Sequence, residues 1–96
     1  MKQIKQIAFQ QQFKRDLRKN YLALVSAEWA EVLHCFCTGK ALDKKYLDHP
    51  LKGDYVGLRE CHLAPDLLLI YDNATDDLVQ LVRIGSHSEL FGKKKR

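Results

Sequence analysis

Three histidines, an arginine and an aspartate in the C-terminal half carry most of the chemistry this sequence could perform: His49, His62, His87, Arg83 and Asp66. Imidazole accepts and donates protons near neutral pH. The planar guanidinium of Arg83 can grip two phosphate oxygens at once. Asp66 could orient a histidine or hold it protonated, or it could simply cap its own Pro65-Asp66 turn. Together these groups suffice to cut a phosphodiester that brings its own nucleophile, as RNA does. One group takes the 2′-hydroxyl proton, that oxygen attacks the adjacent phosphate, a cation stabilises the added charge, and an acid protonates the departing 5′-oxygen. The protein need supply only placement and electrostatics. A single histidine beside a loop is more often a filler, but three of them with an arginine in a basic chain shift that balance.

No metal and no cofactor is expected. His34-Cys35-Phe36-Cys37 together with Cys61-His62 invites a zinc reading, yet Cys35 and Cys37 sit two apart in a helical pattern and so point to different sides. The C-x₂₋₄-C spacing of zinc ligands is missing, which makes buried thiols the better reading.

The elements that must position these groups follow from apolar periodicity. Ile4 to Phe9 alternates and reads as an edge strand. From Gln10, Phe13, Leu17 and Tyr21 repeat at helical spacing, with Lys14, Arg15, Arg18 and Lys19 on the other sides. Asn20 ends or bends this helix. A second helix is expected over residues 22–38, its apolar stripe formed by Leu22, Val25, Trp29, Val32, Leu33 and Phe36, with Gly39 as its terminator. A polar loop spans 40–54, and Pro50 forces His49 onto extended backbone. Residues 56–63, 67–72 and 78–84 read as strands joined by turns at 64–66 and 73–77. Strand, two helices, then a meander make an α+β domain with helices on one face of the sheet.

Ninety-six residues form one domain, 1–96, whose last residues 92–96 read as a mobile basic tail. Lys and Arg outnumber Asp and Glu by 16 to 12, for a net charge of +4, which favours an anionic partner. No stretch approaches the ~20 apolar residues of a membrane span, and no secretory signal opens the chain, so a cytoplasmic, membrane-free protein is expected.

Asp48-His49-Pro50-Leu51, Gly53, the stretch from Gly57 to Tyr71 and the stretch from Leu81 to Phe91 resemble the YafQ branch of the RelE/ParE superfamily of toxins. The resemblance runs through the C-terminal half; the N-terminal half agrees in length and element order. It implies a RelE-like fold, with a strand and two helices packed on a small, mainly antiparallel sheet. It implies the toxin of a type II toxin–antitoxin system, a ribosome-dependent mRNA endonuclease held inactive by a cognate antitoxin. Operator DNA would be met only through the antitoxin complex. Carried over by position, His87, His62, His49, Asp66 and Arg83 are the catalytic set and His87 the preferred proton-transfer residue. Arg83, Phe91 and Lys52 would bind substrate, although Phe91 could equally be a core residue. Some relatives place tryptophan where this chain has Leu67, so stacking there is lost or supplied elsewhere. Lys14, Arg15, Arg18, Lys19, Lys44, Lys45, Lys52 and the Lys93–Arg96 tail could contact ribosomal RNA phosphates. Two other readings are a ParE-type gyrase poison without enzymatic activity and an RNA-binding regulatory module; binding alone, however, has no need of three proton-transfer groups.

Overall fold

The computed structural model describes residues 5–92, so the Lys93–Arg96 tail and Ile4 of the expected first strand lie outside the described residues. The chain runs β1 (Gln6–Phe9), α1 (Gln11–Asn20), α2 (Ala27–Thr38), β2 (His49–Pro50), β3 (Arg59–Ala64), β4 (Leu67–Asp72), β5 (Leu78–Gly85) and α3 (His87–Phe91). Short 3-10 turns lie at Tyr21–Val25, Lys44–Tyr46 and Gly53–Tyr55. Among the described residues the strands form one sheet in the order β1-β5-β4-β3-β2, parallel between β1 and β5 and antiparallel elsewhere. This is the expected α+β arrangement, with β1 at the sheet edge.

The helices follow from capping and burial. Asn20 ends α1 by donating its side-chain amide to Asp16 O at 3.0 Å. The second helix starts later than its apolar periodicity suggests. Ser26 sits on extended backbone and accepts from Trp29 N at 3.1 Å, so α2 begins at Ala27. Leu22 and Val25 therefore fall in the preceding 3-10 turn and stay exposed, outside the buried stripe of Trp29, Val32, Cys35 and Phe36. Gly39 closes α2 in the left-handed conformation, φ 72°, as its position implied.

Both faces of the sheet are covered. On central β4, Leu69 and Tyr71 join the main core with Phe13, Trp29, Val32 and Phe36, whereas Leu68 and Ile70 pack on the opposite face. That is why Leu67 to Tyr71 reads as a nearly continuous apolar run. The second face carries a smaller cluster in which Leu90 and Phe91 of α3 meet Leu51, Tyr55 and Leu58. Helices on one face only was therefore incomplete: α3 and the 51–58 segment are too short for a periodic signal, yet they cover the other side.

The edge of β5 has its own solution. β1 pairs only with Leu78–Leu81. Beyond that, α1 takes over: Ile84 N donates to Asp16 Oδ2 at 3.0 Å, and Asn20 Nδ2 donates to Ile84 O at 3.4 Å. Two polar side chains thus satisfy backbone groups that a strand would otherwise pair.

Candidate active site

Residues opposite one another in a sheet project from the same face. The register therefore lays out the second face in two rows. One runs His49, Glu60, Ile70, Arg83; the other runs His62, Leu68, Gly85. Irregularities in register, between His62 and Ala64 and between Ile70 and Tyr71, shift the strands by one residue beside the two key positions. The second puts Arg83 opposite Ile70 and hence on this face.

Three histidines from three elements line up here. The His49 and His62 ring centroids are 6.2 Å apart, and those of His62 and His87 5.9 Å. Asp48 anchors the segment carrying His49: it accepts from Arg59 Nε at 3.2 Å, from Arg59 Nη2 at 3.1 Å and from the buried Tyr71 hydroxyl. Burial and the Asp48 carboxylate both push the Tyr71 phenol up from its ordinary value, so it stays a neutral donor. Leu47 adopts φ 53°, a left-handed backbone costing about 1–2 kcal/mol, and its carbonyl lies 2.7 Å from His49 Nδ1. A carbonyl only accepts, so Nδ1 carries the proton and Nε2 faces Glu60.

His87 is fixed differently. It opens α3 just after Ser86, which forms a capping box with Glu89. Both the His87 backbone N–H, at 2.9 Å, and Nδ1, at 2.6 Å, reach the same Asp66 oxygen from the β3–β4 turn. The backbone bond first, then the imidazole bond, hold the Asp66 carboxyl below its ordinary value. With Nδ1–H committed to a carboxylate, Nε2 is the atom left to exchange protons, and the side chain is 56% exposed. A carboxylate orienting an imidazole in this way is familiar from hydrolytic triads.

Glu60 is the residue that sequence reasoning missed. It is 4% exposed, with Oε1 at 3.2 Å from His49 Nε2 and 3.6 Å from His62 Nε2. Its Oε2 is buried without a hydrogen-bond partner. The signal was present: Glu60 and His62 stand two apart in a strand and must share a face.

Arg83 shares the face but does not join the histidine row. Nε and Nη2 donate to Asp16 at 2.7 and 3.1 Å, and Nη1 donates to the Tyr55 hydroxyl at 3.0 Å. Asp16 and Tyr55 were also missed; a lone acid on a basic helix was the only hint of the first, and nothing marked the second. Phe91 contacts Tyr55 edge-on at 5.8 Å between centroids and packs in the smaller core, which favours its core role. It also borders a cleft of about 750 Å³ lined by Leu51, Lys52, Tyr55, His87 and Leu90, so Lys52 and Phe91 reach the same opening as His87. Cys35, Cys37 and Cys61 are free thiols. Among the described residues, the group with ligand atoms mutually in reach is His49, Glu60 and His62 rather than a cysteine cluster.

Two helices on one face of a mainly antiparallel sheet, with a histidine row on the other, define a RelE-like toxin domain. Residues 5–92 match the profile of the bacterial toxin of type II toxin–antitoxin system, YafQ, and the chain belongs to this family. It is similar to the mRNA interferase toxin YafQ of Escherichia coli K12, at 49% identity over 47 residues, which is 49% of this chain and 50% of that one. Its fold resembles YafQ in the E. coli DinJ–YafQ toxin–antitoxin complex, with TM-score 0.77 at 30% identity over 92% of this chain and 98% of that one. It also resembles a metal-bound toxin from Helicobacter pylori, with TM-score 0.75 at 40% identity over 95% of this chain and 100% of that one.

Proposed function

We propose that this toxin is an endoribonuclease that cuts mRNA on the ribosome, using its own side chains and no metal. The observation that carries the reading is the His87–Asp66 pair, which engages Nδ1 and leaves Nε2 available on a residue that lines the cleft. The 2′-hydroxyl of the message attacks the neighbouring phosphate. His87 moves a proton at Nε2, while His62 and His49, held along the same face by Glu60, complete the proton-transfer set. Arg83, braced by Asp16 and Tyr55, supplies the fixed positive charge for the phosphorane. Lys52 and Phe91 line the cleft beside His87 and would hold the message.

Support comes from the family and from the E. coli relative's designation as an mRNA interferase. The DinJ–YafQ complex supports a cognate antitoxin as partner, through which the toxin would meet operator DNA. Lys14, Arg15, Arg18 and Lys19 of α1 form a basic face for ribosomal RNA phosphates.

The test is primer extension on a translated message. Wild-type protein should give discrete, ribosome-dependent cuts that persist in EDTA. His87→Ala should lower cleavage by about 10²–10⁴-fold while retaining its fold and antitoxin binding. A DNA supercoiling defect without mRNA cuts would establish gyrase poisoning instead.

A further inference from the structure

We propose that a second cavity, beside His62, receives the base of a message nucleotide next to the scissile phosphate, and that Glu28 there favours bases with an exocyclic amino group. Its role rests on the nuclease reading above.

The cavity has a volume of about 550 Å³, and Glu28, Lys45, Tyr46, Leu47, His62 and Pro65 are among the residues that line it. It shares no lining residue with the cleft beside His87. The His62 and His87 ring centroids stand 5.9 Å apart, so each of two neighbouring imidazoles borders its own opening. A phosphodiester joins two nucleosides, and the attacking and leaving oxygens stand roughly in line through phosphorus during transfer. A phosphate held at this imidazole pair therefore sends its two nucleosides apart, and two openings can take two splayed bases. Unstacked, splayed bases are what sequence-specific RNA recognition mostly reads.

The walls suit a planar ligand with hydrogen bonds in its plane. Leu47 is 58% exposed and Pro65 is exposed as well, so apolar surface faces the opening. Tyr46 is buried and donates its hydroxyl to Glu31 Oε1 at 2.6 Å, which fixes its ring. β2 pairs only with Arg59 and Glu60, so from Cys61 to Ala64 the outer edge of β3 has no strand beside it among the described residues. Leu51 N donates to Leu58 O; by alternation Glu60 and His62 also aim their backbone groups at this edge. A base can meet such groups, and an aliphatic ligand cannot. Pro65 ends the edge, which leaves it short for an added peptide strand.

The charged groups divide the work. Lys45 Nζ lies 3.5 Å from Glu31 Oε1 and 5.2 Å from the centre of the Tyr46 ring, a fixed positive charge for a neighbouring phosphate. Glu31 is thus engaged by Tyr46 and Lys45, whereas no ion pair or hydrogen bond holds the Glu28 carboxylate among the described residues. A carboxylate only accepts. It therefore favours adenine, cytosine and guanine, which carry amino donors, over uracil, which does not.

Cuts are mapped on a translated message whose bases around the cut are randomised, for wild type, Glu28→Ala, Leu47→Ala and Asp76→Asn. At one position next to the cut, wild type should cleave amino-bearing bases about tenfold faster than uracil. Glu28→Ala should bring that ratio close to one and leave preferences at other positions in place. Leu47→Ala should slow cleavage several-fold without reordering the bases, and Asp76→Asn, on the β4–β5 turn, should match wild type. The ratio compares bases within one variant, so a general loss of stability does not move it. An unchanged ratio in Glu28→Ala, or a wild type indifferent to uracil at every position next to the cut, overturns the pocket and leaves the nuclease reading standing. An unchanged ratio with weaker binding of the cognate antitoxin by Leu47→Ala overturns it too, and assigns the β3 edge to a peptide. A wild type that cuts no message overturns the nuclease reading, and the pocket with it.

Discussion

Asp16→Ala isolates the contact that most directly ties the first helix to the candidate site. The Asp16 carboxylate accepts from Arg83 Nε at 2.7 Å, Arg83 Nη2 at 3.1 Å and Ile84 N at 3.0 Å. The Asp16 side chain is 10% exposed and that of Arg83 18%. Removing the acid leaves a largely buried guanidinium with a single bond to Tyr55 and an edge N–H with no acceptor. Breaking a fully buried pair costs about 3–5 kcal/mol, and residual solvent access to both groups reduces this to about 2–3 kcal/mol. For a domain of this size each 1 kcal/mol moves Tm by roughly 4–8 °C, so a fall of about 10–20 °C is expected. Thermal and urea unfolding measure it, and a double-mutant cycle with Arg83→Leu separates the pair from the Ile84 bond. Below Tm the variant should also cleave more slowly, because the guanidinium is no longer aimed. A loss under about 0.5 kcal/mol, or a coupling energy near zero, would refute the claim that this pair holds β5 and Arg83 in place.

Three further outcomes follow from the same geometry. Asp66 has its carboxyl held below the ordinary range by His87, so the stabilisation is complete above that range and is lost as pH falls through the lowered value. The stability difference between wild type and Asp66→Asn should therefore shrink from about pH 5 to pH 2; a constant difference means that the pair does not titrate as described. Gly85→Ala places a Cβ 2.6 Å from Glu89 Oε1 and 3.2 Å from Glu89 Cβ, which disturbs the capping box that starts α3. Cleavage should fall more than stability, read by comparing kcat with Tm, and unchanged activity would show that α3 tolerates displacement. Burial pushes the Cys61 thiol well up from its ordinary value, while Cys37 is half-buried. Iodoacetamide should label Cys37 in the native protein and Cys61 only in urea; native labelling at Cys61 would contradict its burial.

The fold was legible where one signal ran long enough to dominate. β4 is bounded at 67–72 in both sequence and structure, because a central strand with two covered faces is apolar throughout. The helix pair was legible too, but its joint was not. Leu22 and Val25 continue the spacing of α2, and only the local competition of Ser26 for Trp29 N shows that the helix cannot include them. Val56 likewise looks like the start of a strand, yet Gly57 turns the chain at φ 93° and β3 waits until Arg59. α3 spans five residues, less than two full turns, so no periodicity could announce it.

At the site, residue type located the histidines, and the register explains why they meet. His49 and Glu60 are cross-strand partners, and His62 follows two residues later on the same face. His87 arrives from α3 because Asp66, on the turn after β3, accepts both its backbone and its ring N–H. Strand β3 thus sets two histidines together with β2, and the third through a single carboxylate on the turn that follows it. Sequence motifs expose such an arrangement only through the groups whose chemistry is already suspect. Groups that act by bracing others leave fainter marks: Asp16 beneath Arg83 shows only as a lone acid on a basic helix, and Glu60 between the imidazoles only as a residue two before His62. The partner of Asp16 lies 67 residues away, and His49 lies across the strand pair from Glu60, both beyond any local pattern. The second face is accordingly better described as an electrostatic lattice than as a list of catalytic side chains. Its three imidazoles and Arg83 each have an acid beside them: His49 and His62 with Glu60, Arg83 with Asp16, His87 with Asp66. A charged message entering this face meets donors whose positions are already fixed, and that is the condition under which electrostatics lowers a barrier rather than merely strengthening binding.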